Sequence, residues 1–118
     1  MIFERGDIIH LTLDPVVGHE QAGQRFALVL TEKAFNRLGM ALLAPITQQG
    51  SFARENNLAV PIFDNDCDFG IPVSGVILLN QIRMVDVKSI GRSPKFRCKC
   101  STDIVEDFLS RVHALISF

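Results

Sequence analysis

The stretch Gly75-Val-Ile-Leu-Leu-Asn-Gln-Ile-Arg-Met-Val-Asp-Val87 decides the fold. It is long and β-rich, and Asn80-Gln81 interrupts it midway. A bend or bulge at that interruption would let one segment serve two sheet edges. Around it the chain reads as short strands with one terminal helix, which predicts a small, strongly bent sheet or barrel.

Upstream, residues 7–13 alternate: Ile9, Leu11 and Leu13 share one face, and Ile8, His10 and Thr12 the other. That is the pattern of a half-buried strand. Residues 26–30 form a second strand, nearly apolar on both faces, and Met40 to Ile46 a third that ends at Thr47. Between them Thr31 is placed to cap a short helix through Phe35 and Leu38, stopped by Gly39. Residues 48–57 read as a polar loop, and Leu58 to Ile62 as a short strand in which Pro61 marks an edge or an end. Asp64 to Ser74 reads as loop; its Asp64, Asp66 and Asp68 lack the ligand pattern of a calcium loop. Downstream, Ile104, Val105, Phe108, Leu109, Val112, Leu115 and Ile116 recur at helical spacing, with Asp103 and Glu106 in a capping-like arrangement. The helix's apolar face reads as core, and part of it could also meet a second subunit.

The 118 residues predict one domain, 1–118, and a 47% apolar content supplies its core. A net charge of −1 gives no global field for nucleic acid, so such binding would need a local patch. One candidate is the run Lys88, Arg92, Lys95, Arg97, Lys99, which carries no acid; the plainer reading is a solvated strand or hairpin. No apolar run is long enough for a bilayer, and the first residues lack the order of a signal peptide. A cytoplasmic protein with no membrane partner is expected, and three cysteines fit that reducing compartment. Cys98 and Cys100 form C-x-C, a weak metal hint even with Cys67 and His113 as imagined partners. The simpler reading puts the pair on alternate faces of one strand. Neither a metal nor a cofactor is expected.

The densest chemistry lies in Asp14-Pro-Val-Val-Gly-His-Glu-Gln-Ala-Gly-Gln-Arg25, where His19, Glu20 and Arg25 fall close together between two strands. They could supply a proton acceptor, a proton donor and a fixed positive charge. Cleavage of RNA through its own 2′-hydroxyl needs that set.

Five ordered stretches resemble the MazF/PemK toxin family, and its ChpB-type branch most: Glu4-Arg-Gly-Asp-Ile-Ile, Asp14-Pro-x-x-Gly-His-Glu-Gln-x-Gly, Ala34-Phe-Asn-Arg-Leu-Gly-Met, Ala44-Pro-Ile-Thr-Gln-x-Gly-x-Phe-Ala-Arg54 and Gly75-Val-x-Leu-x-Asn-Gln-x-Arg-Met-x-Asp86. The resemblance covers about residues 3–88 and continues more loosely into the helix. It implies a mainly β, α+β fold, a small SH3-like barrel of the MazF/PemK/CcdB type, paired as a homodimer. It also implies a metal-independent endoribonuclease that cuts single-stranded RNA at short sequences, and a cognate antitoxin that covers the RNA-binding face.

Arg25 matches an arginine that family members use at the active site; a salt bridge tying the 14–25 loop to the barrel is its other reading. Imidazole titrates near neutrality, so His19 can move a proton, whereas Glu20 needs a raised pKa or acts by orienting neighbours. Turn packing for His19 and a pairing with Arg25 for Glu20 stay open. Thr47 matches a threonine that donates to the phosphate region in similar proteins. Gln48 and Gln49 offer amides for reading bases, Gln21 can do the same or close its loop, and Phe52 can stack on a base or cap the core. Asn80, Gln81 and Arg83 complete the substrate-binding candidates. The PemK branch carries an Arg and an Asp where this chain has Leu78 and Asn80, which moves weight to His19, Glu20 and Arg25. If the strand is regular there, positions 76, 78 and 80 share a face. Phe26 follows Arg25 where the family usually has Pro, adding bulk beside the guanidinium. Two alternatives stand beside the ribonuclease: a binding-only toxin on the same barrel, such as a CcdB-like gyrase poison, and a decayed toxin that only binds antitoxin.

Overall fold

Eight strands and two helices account for most of the computed structural model, which describes residues 2–13, 24–48, 58–88 and 90–117. In chain order these are β1 (Asp7–Thr12), β2 (Gln24–Val29), α1 (Lys33–Asn36), β3 (Met40–Thr47), β4 (Ala59–Ile62), β5 (Cys67–Asp68), β6 (Gly75–Leu78), β7 (Arg83–Asp86), β8 (Lys95–Cys100) and α2 (Thr102–Ile116). The strands make one curled sheet in the order β4-β6-β3-β2-β1-β8-β5, with β7 also on β3. All the described pairings are antiparallel.

The interruption read at Asn80-Gln81 is a single 3-10 turn, Leu79–Gln81. Ahead of it β6 pairs Ile77 with Ile46 and Val76 with Thr47; beyond it β7 pairs Arg83 with Leu43 through Asp86 with Met40. Both halves therefore run along the same edge of β3, and β6 uses its other edge for β4. Ala44 and Pro45 fall between the two ladders. Pro45 pairs with Ala27 of β2 on one edge, and a residue without an N–H is tolerated because no described strand faces it on the other. Pro61 lies on β4, a sheet edge, and is exposed.

β1 differs from the half-buried strand expected. Ile8 belongs to one apolar cluster with Leu28, Ala44, Ile46, Ile77 and Phe108, while Ile9, Leu11 and Leu13 join another with Ala27, Val29, Leu43 and Val85. β2 and β8 occupy the edges of β1, and the two apolar clusters cover its faces. α2 closes the first cluster with Val105 and Phe108, and leaves Leu115 and Ile116 exposed. Its cap is Ser101, whose hydroxyl accepts from the Ile104 N–H at 3.4 Å; Asp103 sits in the first turn, where its charge suits the helix dipole.

Thr31 does not cap α1. The N-cap is Glu32, and Thr31 Oγ1 donates to Asn36 Oδ1 at 2.6 Å while accepting from the Leu42 N–H. Gly39 ends the turn with φ +101°, a conformation that suits a residue lacking Cβ. Part of the expected 64–74 loop is ordered into β5, which pairs Cys67 with Cys100. The two cysteines of β8 share one face, as residues two apart on a strand must. Both are buried in the first cluster, and Cys67 packs against it. Among the described residues no group of three His, Cys, Asp or Glu side chains is arranged to hold a metal ion, and no helix is long and apolar enough to cross a membrane.

Two of the five motifs are structural. In Glu4-Arg-Gly-Asp, Arg5 Nε donates to Leu30 O at 2.8 Å, and the buried Asp7 accepts from Lys99 Nζ at 2.7 Å and from the Glu4 N–H at 3.0 Å. In Ala34-Phe-Asn, the buried Asn36 donates to Phe3 O at 2.8 Å and Thr31 O at 2.9 Å. Asn36→Ala strands these acceptors in the interior and is expected to cost about 2–3 kcal/mol, measured by urea unfolding.

Candidate active site

The described parts of the active-site candidates meet at the C-terminal ends of β1 and β3 and the start of β2. Arg25 on β2 is opposite Leu11 of β1. The described β2–β3 ladder ends at the Phe26–Ile46 pair, and Arg25 and Thr47 are the next residue of each strand beyond it. Arg25 is exposed and Thr47 half-buried.

A cleft of about 320 Å³ opens there, lined by Leu13, Arg25, Pro45, Gln81, Ile82 and Arg83. It exists because the ladder along β3 is broken: Pro45 faces the gap, and the 79–81 turn leads Gln81, Ile82 and Arg83 around it. Leu79 pins the turn by its burial in the core and by donating its N–H to Leu58 O at 2.7 Å. Arg25, Gln81 and Arg83 are thus brought together by residues far apart in the chain, and the described lining carries no carboxylate. Arg83 is half-buried, and its Nη2 donates to Leu13 O at 2.9 Å. Gln48 is exposed just beyond Thr47. His19, Glu20, Gln21, Gln49 and Phe52 lie outside the described residues.

Positions 78 and 80 do not share a face, because the strand stops at Leu78. Leu78 is buried with Ala59 and Val76, whereas Asn80 is exposed on the turn. Phe26 likewise leaves Arg25 alone: adjacent strand residues point to opposite faces, and Phe26 packs against the first cluster. Its ring lies 4.7 Å from that of His10, with the Arg97 guanidinium 5.2 Å from its centroid.

The basic run is dispersed. Arg92 Nη1 donates to Thr12 O at 3.0 Å and to Leu13 O, Lys99 binds Asp7, Arg97 covers Phe26, and Lys88 Nζ reaches Arg37 O at 3.4 Å. Its cations are largely used in holding the fold. Arg92 at the β1 exit is a residue that sequence reading did not single out; only its place in the run hinted at it.

Gly75 sets how closely β6 approaches Thr47. A Cβ there would stand 2.5 Å from Thr47 O, a backbone atom with little room to yield. Gly75→Ala is expected to displace the end of β3, with a stability loss of about 1–3 kcal/mol and amide shifts at residues 46–48 in NMR spectra.

Burial holds the His10 pKa below 6.5, and Arg97 and Lys95 push it further the same way. The folded state therefore favours the neutral ring, and the unfolded chain takes up the proton first as pH falls. Stability present above 6.5 is lost as pH drops through the unfolded pKa toward the folded one. Urea unfolding at about pH 7.5 and about pH 5.5 should show this loss, and His10→Phe should remove that part of it.

Comparison with known proteins bears on the family and the fold. Residues 4–116 fit the family described as PemK-like, MazF-like toxin of type II toxin-antitoxin system. The chain is 46% identical to the endoribonuclease toxin ChpB of Escherichia coli (strain K12) over 97% of its own length and 94% of that protein. It is 40% identical to endoribonuclease PemK of Escherichia coli over 75% of its length and 64% of that protein. Among solved structures, MazF of Deinococcus radiodurans (Form-I) superposes with a TM-score of 0.80 at 26% identity, over 100% of this chain and 99% of that one. A half-barrel sheet closed by a terminal helix and matches over nearly the whole length agree: the chain belongs to the PemK-like, MazF-like toxins of type II toxin-antitoxin systems.

Proposed function

We propose that the chain is an endoribonuclease toxin that cuts single-stranded RNA at short sequences, without a metal, by attack of the 2′-oxygen on the adjacent phosphate. The observation that carries this reading is the cleft in which Arg25, Gln81 and Arg83 converge.

In this reaction the 2′-hydroxyl loses a proton, its oxygen bonds to phosphorus, and the bond to the 5′-oxygen breaks as that oxygen gains a proton. The phosphoryl oxygens carry extra negative charge between these events. A guanidinium stays protonated and donates in a fork, so Arg25 answers that charge best. Thr47 adds a neutral hydroxyl donor on the neighbouring strand. Arg83 contributes a second fixed cation, and Gln81, with Gln48 and Asn80, supplies donors and acceptors for base edges. His19 and Glu20 are the proposed proton carriers, with Gln21, Gln49 and Phe52 as further substrate contacts. Leu78 is apolar and buried, so no proton transfer is assigned to that position.

The relatives named endoribonucleases support the activity, and membership of a toxin-antitoxin family supports a cognate antitoxin as partner. A homodimer acting in the cytoplasm completes the proposal. RNA cleavage in EDTA, with cut ends mapped by primer extension, tests it. Discrete cuts are expected from the wild-type protein, with a loss of about 100-fold or more in Arg25→Ala at unchanged folding. Folded wild-type protein that makes no cuts would sink the ribonuclease and leave a binding-only or decayed toxin.

A further inference from the structure

We propose that Arg92 is a positioning residue for RNA cleavage, acting with Arg83 through the Leu13 wall of the Arg25 cleft; the proposal rests on the ribonuclease reading above. β8 last pairs with β1 at His10, opposite Lys95, so among the described residues no strand lies beside that edge of β1 from Leu11 onward. The 3-10 turn Ile90–Arg92 occupies the space. From it Arg92 Nη1 donates to the carbonyls of both Thr12 and Leu13. Arg83 Nη2 donates to the same Leu13 oxygen from β7. A carbonyl oxygen has two lone pairs, and here two cations use them. Such charge-assisted bonds are stronger than neutral ones, so this point of the backbone is held from two directions.

The clamped residue is part of the cleft. Leu13 is buried and lines the cavity with Arg25, and its neighbour Leu11 is the register partner of Arg25. The chain then runs directly into the segment that carries His19 and Glu20. Arg83 lines the cleft as well, whereas Arg92 does not, so Arg92 acts on the reaction through Leu13 rather than on the RNA. A further β-strand bond could close the same edge, but only by extending β8 along β1. The guanidinium closes it from a short turn.

Arg92→Gln and Arg92→Lys, with thermal unfolding followed in parallel, test the assignment. On a short RNA with one cut site, Arg92→Gln should lower kcat about 10- to 100-fold while KM changes by less than about threefold, the signature of misplacement rather than lost binding. Arg92→Lys keeps a cationic donor and should recover part of kcat. Amide hydrogen exchange gives a readout independent of cleavage: Arg92→Gln should speed exchange at residues 11–13 at least about fivefold and leave α2 unchanged. An unchanged kcat, a kcat loss that follows the unfolding temperature, or unaltered exchange at residues 11–13 would each overturn the assignment. Wild-type protein that does not cut RNA would instead remove the ribonuclease reading, and exchange would still decide whether Arg92 clamps the strand.

Discussion

One break in a hydrogen-bond ladder shapes the functional end of this molecule. β3 is served along one edge by two short strands instead of one, because Leu79–Gln81 turns between them. A continuous strand there would require Pro45 to donate a bond it does not have and would fill the space with backbone. The turn avoids both consequences. It leaves Pro45 as a flat apolar floor and swings Gln81, Ile82 and Arg83 around the opening where Arg25 stands. The cost of breaking the ladder is offset by Leu79, buried in the main core and bonded to Leu58 O. Among the described residues, the cleft is therefore a product of sheet topology.

The same economy governs charge. A chain of net charge −1 cannot attract a polyanion by its overall field, so cations must be concentrated where they count. Of five cations between Lys88 and Lys99, Arg92 is committed to the carbonyls of Thr12 and Leu13, Lys99 to Asp7, and Arg97 to the face of Phe26. The guanidinia at the cleft come from β2 and β7 instead. Surface ion pairs contribute little, whereas charge-assisted bonds to half-buried carbonyls fix position, so the run serves mainly as scaffold.

Much of this was legible in the sequence. Alternation and apolar runs located β1, β2 and β3, and the pause at Asn80-Gln81 announced the bend on which the sheet depends. Arg25 and Thr47 were singled out through family resemblance, and the β2–β3 ladder ends one residue before each of them. Other features were not legible because they depend on tertiary contacts. Alternation in β1 suggested one exposed face, but separate apolar clusters pack on its two faces. Thr31 has the chemistry of a cap, yet Asn36 and Leu42 take its hydroxyl. Arg92 looked like one member of a basic run, since nothing local reveals that β8 would stop at His10 and leave carbonyls for it to bind.

The departures at Leu78 and Asn80 acquire a physical sense from the turn. Residues two apart share a face only where one strand continues through both positions. Here the strand ends at Leu78, which is committed to a small apolar cluster with Ala59 and Val76, and Asn80 has already rotated onto the turn. Charging position 78 would bury a group with no described partner, at a cost that pairing or a shifted pKa would have to meet. A polar residue at 78 would therefore ask that cluster to repack, whereas an Asp at the exposed position 80 would not. In the proposed reaction, charge stabilisation falls to Arg25 and Arg83, and proton transfer to groups outside the 75–86 segment.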